Sequence, residues 1–406
     1  MSHPTGLNFL LVSSYFKGEE FIRACKRAGN NVYFLTALKL KGSPWPYDHI
    51  DETFYLEDGP DGVWNPADMI KGLAWLMRSV KIDRVVALDD FDVEKAAHIR
   101  EEFRIPGMGQ STARYFRDKL AMRIRAKEAG IPVPSFTPLF NDAEINHYLD
   151  TVEGPWLIKP RSEASATGIT KCWTKDEIWA VLDKVGERRY QYLVEQFKPG
   201  DVFHVDSLSE DGTLVFCKSS RYLNTPMEVA HGGGIFRSAA LPNSNADAKK
   251  LKVLTEKVMN AFRMVYSASH TEFIKSHETG EFVFLETSSR VGGAHLAEMV
   301  EAASGINLWR EWANLETAQA LGKKYTLPKT EDSSAGIVVS LARQEWPDTS
   351  TFNDKEIWWR MNKEYHVGFI LKAKDKKRLD ELLENYAVKI FEGYHASAPV
   401  PDRPTN

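Results

Sequence analysis

Several features that would assign a chain quickly are missing here. Among 406 residues there are three cysteines (Cys25, Cys172 and Cys217), too few and too scattered for a disulfide frame or a zinc site. No apolar run approaches the roughly 20 residues needed to span a bilayer. Neither charge sign dominates: 52 Lys+Arg face 56 Asp+Glu, so nothing pulls the whole chain toward nucleic acid or an acidic membrane. The opening Met-Ser-His-Pro-Thr-Gly has no basic segment, so secretion is not expected and a cytoplasmic location is. After the first strand-like run, Ser13-Ser14-Tyr15-Phe16-Lys17-Gly18 stands where a dinucleotide site needs its glycines, which disfavours a nicotinamide enzyme. Internal repeats are absent as well. What remains is an ordinary globular composition, 43% hydrophobic, long enough for two to four domains.

The first third alternates strand and helix patterns: strands over 7–14, 32–36 and 84–88, helices over 19–28 and 93–103. That alternation implies a doubly wound parallel sheet, its last strand ending in Asp89-Asp90. After Ile105-Pro106-Gly107 a single long helix is expected over 112–129, closed by Gly130 and an extended connector, Ile131-Pro132-Val133-Pro134. The pattern then turns mixed, with strands over 156–160, 169–173 and 192–197 and a helix over 175–185. Hairpins follow until a helix over 246–262. The last stretch reads strand, loop, strand (367–373), helix (376–386), strand, the composition of a small α+β lid.

The most informative segment is His270–Asn307. Two strands, Thr271–Lys275 and Glu281–Thr287, flank the polar turn SHETG, so a hairpin follows. With the turn centred near Thr279, Glu272 lies opposite Glu286 on one face, the Cβ atoms about 5 Å apart. Two carboxylates at that distance repel, and Phe273, Phe282, Phe284 and Leu285 surround them. A raised pKa or a bound cation must compensate. Oxygen-only ligands suit a hard ion, so Mg²⁺ is the first candidate. Continued alternation puts Ser288 and Arg290 on the face of Glu286, with Arg290 aimed at whatever anion the metal holds. Gly292-Gly293 permit a tight turn into a helix whose N-terminus also favours anions. A solvated surface hairpin would be the plain alternative.

Two further segments are less specific. Lys159 ends the apolar run Trp156-Leu157-Ile158, and the small-residue loop after it can wrap amides around phosphate oxygens, although a strand-end lysine more often snorkels to water. The loop does not match the Walker pattern. The run from Val194 to Asp201 reads as a strand into a tight turn, either an inter-domain hinge or an ordinary hairpin entry. His204 reads as a satisfied core histidine. His231 and the three glycines after it read as a flexible loop between Arg221 and Arg237, either an active-site flap or a surface connection.

In this order the pieces resemble the ATP-grasp superfamily, and within it carboxylate–amine ligases such as the bacterial L-amino acid ligases. The resemblance spans 7–308 and rests on Asp118–Phe136, Leu157–Ile169, Val194–Asp206, His270–Phe273 and Phe284–Gly293. It implies a mixed α/β and α+β architecture: a Rossmann-like pre-ATP-grasp domain (1–110), a helical linker with a mobile lid subdomain (111–197), a large antiparallel subdomain with the metal site (198–325), and a small α+β domain and tail (326–406). It implies that Lys119, Lys159 and Ser165 contact ATP phosphates. Glu195, Gln196 and Phe197 would hold adenine through the hinge backbone, and Asp201 stands where ribose is bound. Glu272 and Glu286 match the Mg²⁺ ligands (one or two ions, Mn²⁺ as a substitute). Ser288 replaces an asparagine of the metal shell, and Arg290 matches the arginine that stabilises acyl-phosphate and tetrahedral states. The implied reaction joins a small carboxylate to an amine through an acyl phosphate, releasing ADP and phosphate. Activation of bicarbonate, or ATP binding without catalysis, are the rivals. Arg221, His231 and Arg237, with Tyr222 and Trp309, are candidates for the substrate pocket. No nucleic acid or membrane partner is expected, and a homodimer accords with family and base rate.

Overall fold

The computed structural model describes residues 6–59, 62–163 and 167–397, with the side chains of 230–232 left aside. The N-terminal unit contains β1 (Asn8–Ser13), α1 (Glu19–Arg27), β2 (Asn31–Ala37), β3 (Glu52–Leu56), α2 (Pro66–Leu76), β4 (Arg84–Ala87) and α3 (Val93–Phe103). Its four strands are all parallel, in the order β3-β2-β1-β4. Chain direction around the sheet reverses between β1 and β4. Such a switch point leaves a crevice at the carboxyl ends of those strands, and Asp89-Asp90 emerge there.

The long helix expected over 112–129 is broken. A short α4 (Gln110–Ala113) is followed by a 3₁₀ turn and then α5 (Lys119–Glu128). Asp118 causes the restart: its backbone is extended and its carboxylate accepts from the amides of Leu120 and Ala121, as an N-cap does. Next come β5 (Phe136–Pro138), α6 (Asp142–Thr151), β6 (Trp156–Pro160), β7 (Thr170–Cys172), α7 (Lys175–Val185) and β8 (Tyr192–Gln196). They form an antiparallel sheet, β5-β8-β6-β7, with a core of its own that includes Ile145, Ile158, Ile178 and Val194.

The rest builds one eight-stranded antiparallel sheet, β13-β12-β9-β10-β11-β14-β16-β15. Its elements are β9 (Gly200–Glu210), β10 (Thr213–Tyr222), α8 (Pro226–Gly232), β11 (Phe236–Ala240), α9 (Ala246–Ala261), β12 (Tyr266–Ser276), β13 (Phe282–Ser288), α10 (Leu296–Ser304), α11 (Leu308–Ala320), β14 (Ser334–Leu341), β15 (Ile357–Arg360), β16 (His366–Ala373) and α12 (Lys376–Gly393). Helix α10 covers one face: Leu296, Met299 and Ala303 pack with Tyr222 and Ala240. Helix α12 covers the other, its Leu379, Leu383 and Tyr386 meeting Ala239, Val338 and Phe369.

Three further expectations need correcting. Residues 226–232 are a helix with Gly233 as its left-handed cap, where a loop was expected. Among the described residues no strand follows the last helix, because α12 runs on to Gly393. The C-terminal strands join the large sheet through the β11–β14 pairing, so that sheet continues through the boundary at 325. Phe21 meets Trp312 edge-on at 5.0 Å, and Asn30 donates to Thr317 at 2.8 Å, locking the N-terminal unit onto α11. Among the described residues, no helix is long and apolar enough to cross a membrane.

Candidate active site

The site grows from the register of the large sheet. Glu272 pairs with Glu286 on one side and with His204 on the other; His270 pairs with Ser288 and Asp206. Since neighbouring residues on a strand point to opposite faces, these six side chains share one face. A bulge between Glu272 and Phe273 places Leu285 outside the regular ladder. Its carbonyl accepts a hydrogen bond from Arg123 of α5. Phe273 and Phe284 turn to the opposite face, fully buried and 5.9 Å apart edge-on.

The two acids therefore oppose each other as the spacing requires, but a histidine balances one of them. Tyr222 donates to Glu272 Oε1 at 2.8 Å, and His270 Nε2 lies 3.4 Å from the same oxygen. Asp206 accepts from Nδ1 of both His270 (2.8 Å) and His204 (2.7 Å). Burial would push His270 down, but Asp206 and then Glu272 raise it to about 10, so its ring is a cation at neutral pH. That cation, with the Tyr222 hydroxyl, holds Glu272 below its ordinary value against its own burial. His204 is a satisfied core histidine, its Nε2 on Ser238 Oγ at 2.8 Å. The ligand atoms of His204, Asp206 and His270 lie within 4.8 Å of one another, yet Asp206 occupies the ring nitrogens a metal would need. Gly292 is also explained: a Cβ there would stand 2.7 Å from Asp206 Oδ1 and 2.9 Å from His270 Nδ1.

Glu286 is the more open acid, its side chain about one-third exposed, and its Oε2 meets Lys119 Nζ at 2.9 Å. Lys119 also donates to the carbonyl of Glu163 at 2.6 Å, which joins α5 to the loop after β6. From the N-terminal unit, Asp90 accepts from the Ser288 hydroxyl and lies 3.5 Å from Arg290 Nη2. Burial pushes Asp90 up, but Arg290, Arg117, the Ser288 hydroxyl and Lys119 together hold it at about 2. Arg290 donates through Nη1 to the carbonyl of Val291, while among the described residues its buried Nε has no hydrogen-bond partner. Lys159 and Arg123 both contact Glu195, the latter at 2.8 Å.

Glu195→Gln should therefore leave two buried cations short of a counter-charge, costing about 3–5 kcal/mol in stability, read by denaturant unfolding. Although burial raises Glu195, Arg123 and Lys159 depress it from 4.5 to about 2. A depressed acid stabilises the fold above its unfolded pKa and loses that contribution as pH falls through its folded one. The variant should lose the part of wild-type acid destabilisation that falls between about pH 4.5 and 2.

Not every candidate joins this cluster. Alternation puts Asp201, Arg221 and Arg237 on the face opposite Glu272. Asp201 meets Arg221 at 3.0 Å, and Arg237 meets Glu384 of α12 at 2.7 Å. These two arginines are thus corrected as pocket residues, and Val202 holds the same-face position next to Asp201. Tyr222 reaches the site; Trp309 packs near Trp312 at 6.2 Å instead. The amides of Gln196 and Phe197 are used by the carbonyls of Ser135 and Pro155. Ser165 and the His231 side chain lie outside the described residues. Asp90, Arg123, Asp206 and His270 are the members that sequence reading passed over. Asp90 alone carried a local signal, an acidic pair at a strand end.

The donors fit a hard divalent cation: Glu272 and Glu286 face each other with oxygen ligands only, and Glu286 is part-exposed. Lys119 and the unpaired Nε of Arg290 add donors for an anion.

No family model matches the chain. It is 25% identical over 276 residues to the L-arginine-specific L-amino acid ligase of Bacillus subtilis, covering 66% of this chain and 65% of that protein. The chain spans just under two thirds of the length of the first curated relatives it matches. An L-amino acid ligase from Bacillus licheniformis superposes with a TM-score of 0.72 at 14% identity, over 96% of this chain and 98% of the other. The biotin carboxylase domain of Hydrogenobacter thermophilus 2-oxoglutarate carboxylase, in complex with MgADP, ADP and bicarbonate, gives 0.71 at 17% identity, over 97% and 91%. The chain has the ATP-grasp fold and is similar in sequence to an L-amino acid ligase.

Proposed function

We propose that the protein is an ATP-dependent ligase that joins a small carboxylate to an amine, releasing ADP and phosphate. What supports this reading is that Glu272, Glu286, Lys119, Asp90 and Arg290, drawn from three separate parts of the chain, are linked by direct pairings through Ser288 and the β12–β13 ladder. A carboxylate is a poor acyl donor because its oxygen leaves badly. Attack on the γ-phosphate of ATP turns it into an acyl phosphate, which an amine then displaces as phosphate while losing a proton. Both reactants of the first step are anions. Mg²⁺ held by Glu272 and Glu286 would neutralise phosphate charge there. Lys119 and Lys159 add fixed positive charge beside the loop after β6. Arg290, anchored by Asp90 and Val291, keeps a buried N–H for the oxyanion that forms when the amine attacks. We infer that the β5-β8-β6-β7 unit closes over the cleft, because the acyl phosphate must be shielded from water. Use of cellular ATP accords with the cytoplasm, and a homodimer is part of the same reading.

Isothermal titration should give Mg²⁺-dependent ATP binding; tight NADH binding with none of ATP would overturn the assignment. A coupled ADP-release screen of carboxylates crossed with amines identifies both substrates. ADP release dependent on bicarbonate alone would instead assign a carboxylase, as in the superposed biotin carboxylase domain.

A further inference from the structure

A cavity of about 160 Å³ lies between the N-terminal unit and the large sheet, lined by Arg84, Arg100, Tyr266, Ser267, Trp312 and Glu316, among others. It is separate from the site above. Arg84 begins β4, whose far end at Ala87 is roughly 10 Å of strand away at about 3.3 Å per residue, and Asp90 lies three residues beyond that end. Ser289 lines the cavity, while its neighbours Ser288 and Arg290 reach Asp90.

The charges in this cavity are poorly matched by protein partners. Arg84 is 8% exposed, and its buried Nε has no hydrogen-bond partner among the described residues. Its Nη1 donates to the carbonyl of Asp83 at 3.2 Å, and Tyr266 lies beneath the guanidinium at 5.5 Å. Glu316 Oε2 is 3.9 Å from that Nε, beyond hydrogen-bonding range. The other oxygen of Glu316 accepts from Trp312 at 3.2 Å. Arg100 spends its donors on the carbonyls of Val85 (3.0 and 2.6 Å) and Met108 (3.1 Å), which leaves its charge uncompensated by them. Two guanidinium groups thus face one carboxylate, and burial raises that carboxyl to about 7 although Arg100 and Arg84 oppose it. A buried cation with an idle donor calls for an anion, and a planar carboxylate matches guanidinium geometry. The space equals that of about five waters, and Val85, Met264 and Trp312 offer apolar wall for a short tail. Glu316 disfavours a doubly charged phosphate and tolerates a monoanion.

We propose that this cavity is a second ligand site, where Arg84 binds a small aliphatic carboxylate between the N-terminal unit and the large sheet. The inference does not depend on the ligase reading. Crystals soaked in 3-bromopropionate should show anomalous bromine density in the cavity with the carboxylate on Arg84. Propionate titrated calorimetrically should bind Arg84→Gln at least tenfold more weakly than wild type, with ATP binding unchanged. Glu316→Gln removes the competing charge and should tighten propionate severalfold; this opposite sign keeps the test decisive should Arg84→Gln fail to fold. Alanine binding tighter than propionate would identify a free amino acid, its ammonium on Glu316. The reverse order would identify a simple acid, and either supports the site. Bromine density only beside Arg290 or nowhere, or propionate binding unaltered in both variants, would overturn it.

Discussion

Arg290→Ala should lower turnover by about a thousandfold, roughly 4 kcal/mol of transition-state stabilisation, while changing the ATP dissociation constant less than about threefold. The expectation rests on the unequal use of this guanidinium in the resting structure. One arm is anchored on Val291, a second leans on Asp90, and the buried Nε is unmatched among the described residues. A donor with nothing to bind in the ground state is free to gain its partner as charge develops on the acyl carbon's oxygen. Such an interaction raises kcat more than it lowers KM. Single-turnover ADP release separates the steps: activation of the carboxylate should survive better than transfer to the amine. Arg290→Lys should recover little, because an ammonium cannot span Asp90 and an oxyanion together. Equal losses in ATP affinity and turnover would return Arg290 to ground-state binding.

The second large effect belongs to Glu286. Glu286→Ala should abolish measurable ADP formation and remove the Mg²⁺ dependence of ATP binding, yet leave thermal unfolding close to wild type. Its side chain lies on edge strand β13, about one-third exposed, so truncation creates no cavity. Its charge, by contrast, is one of two opposed carboxylates and the partner of Lys119. The conservative Glu286→Gln keeps the shape and loses the charge, so it should behave like the alanine variant if charge is what matters. Undiminished turnover in either would remove Glu286 from the metal set. Glu272 is a worse probe, since it is enclosed with His270 and Tyr222, and its loss disturbs a buried network as well as a ligand.

The parts of this site are unequally legible in the sequence. The opposition of Glu272 and Glu286 could be read from two β-patterned runs and a polar turn, because hairpin register is local. The same locality made α3 and α7 legible, since the apolar period lies within each segment and Thr174 caps α7 from the residue before it. The break at Asp118 was hidden by a good helical pattern on both sides of a capping residue. The compensation of Glu272 was hidden differently. A cation bound to the two acids was anticipated, but His270 and Asp206 meet only when β12 pairs with β9, 64 residues apart.

By itself, then, the sequence determined the local pieces: a parallel-sheet pattern, a hairpin carrying two opposed acids, an arginine and paired glycines after it, and lysines beside a small-residue loop. Tertiary structure decided which faces those pieces share. It turned Asp201, Arg221 and Arg237 away from the acids, delivered Asp90 from the N-terminal unit to Ser288 and Arg290, and paired Lys159 with Glu195. The physical reason is that alternation along one strand is fixed by covalent geometry. Which strand lies beside it, and so which charges meet, depends on burial summed over the whole chain.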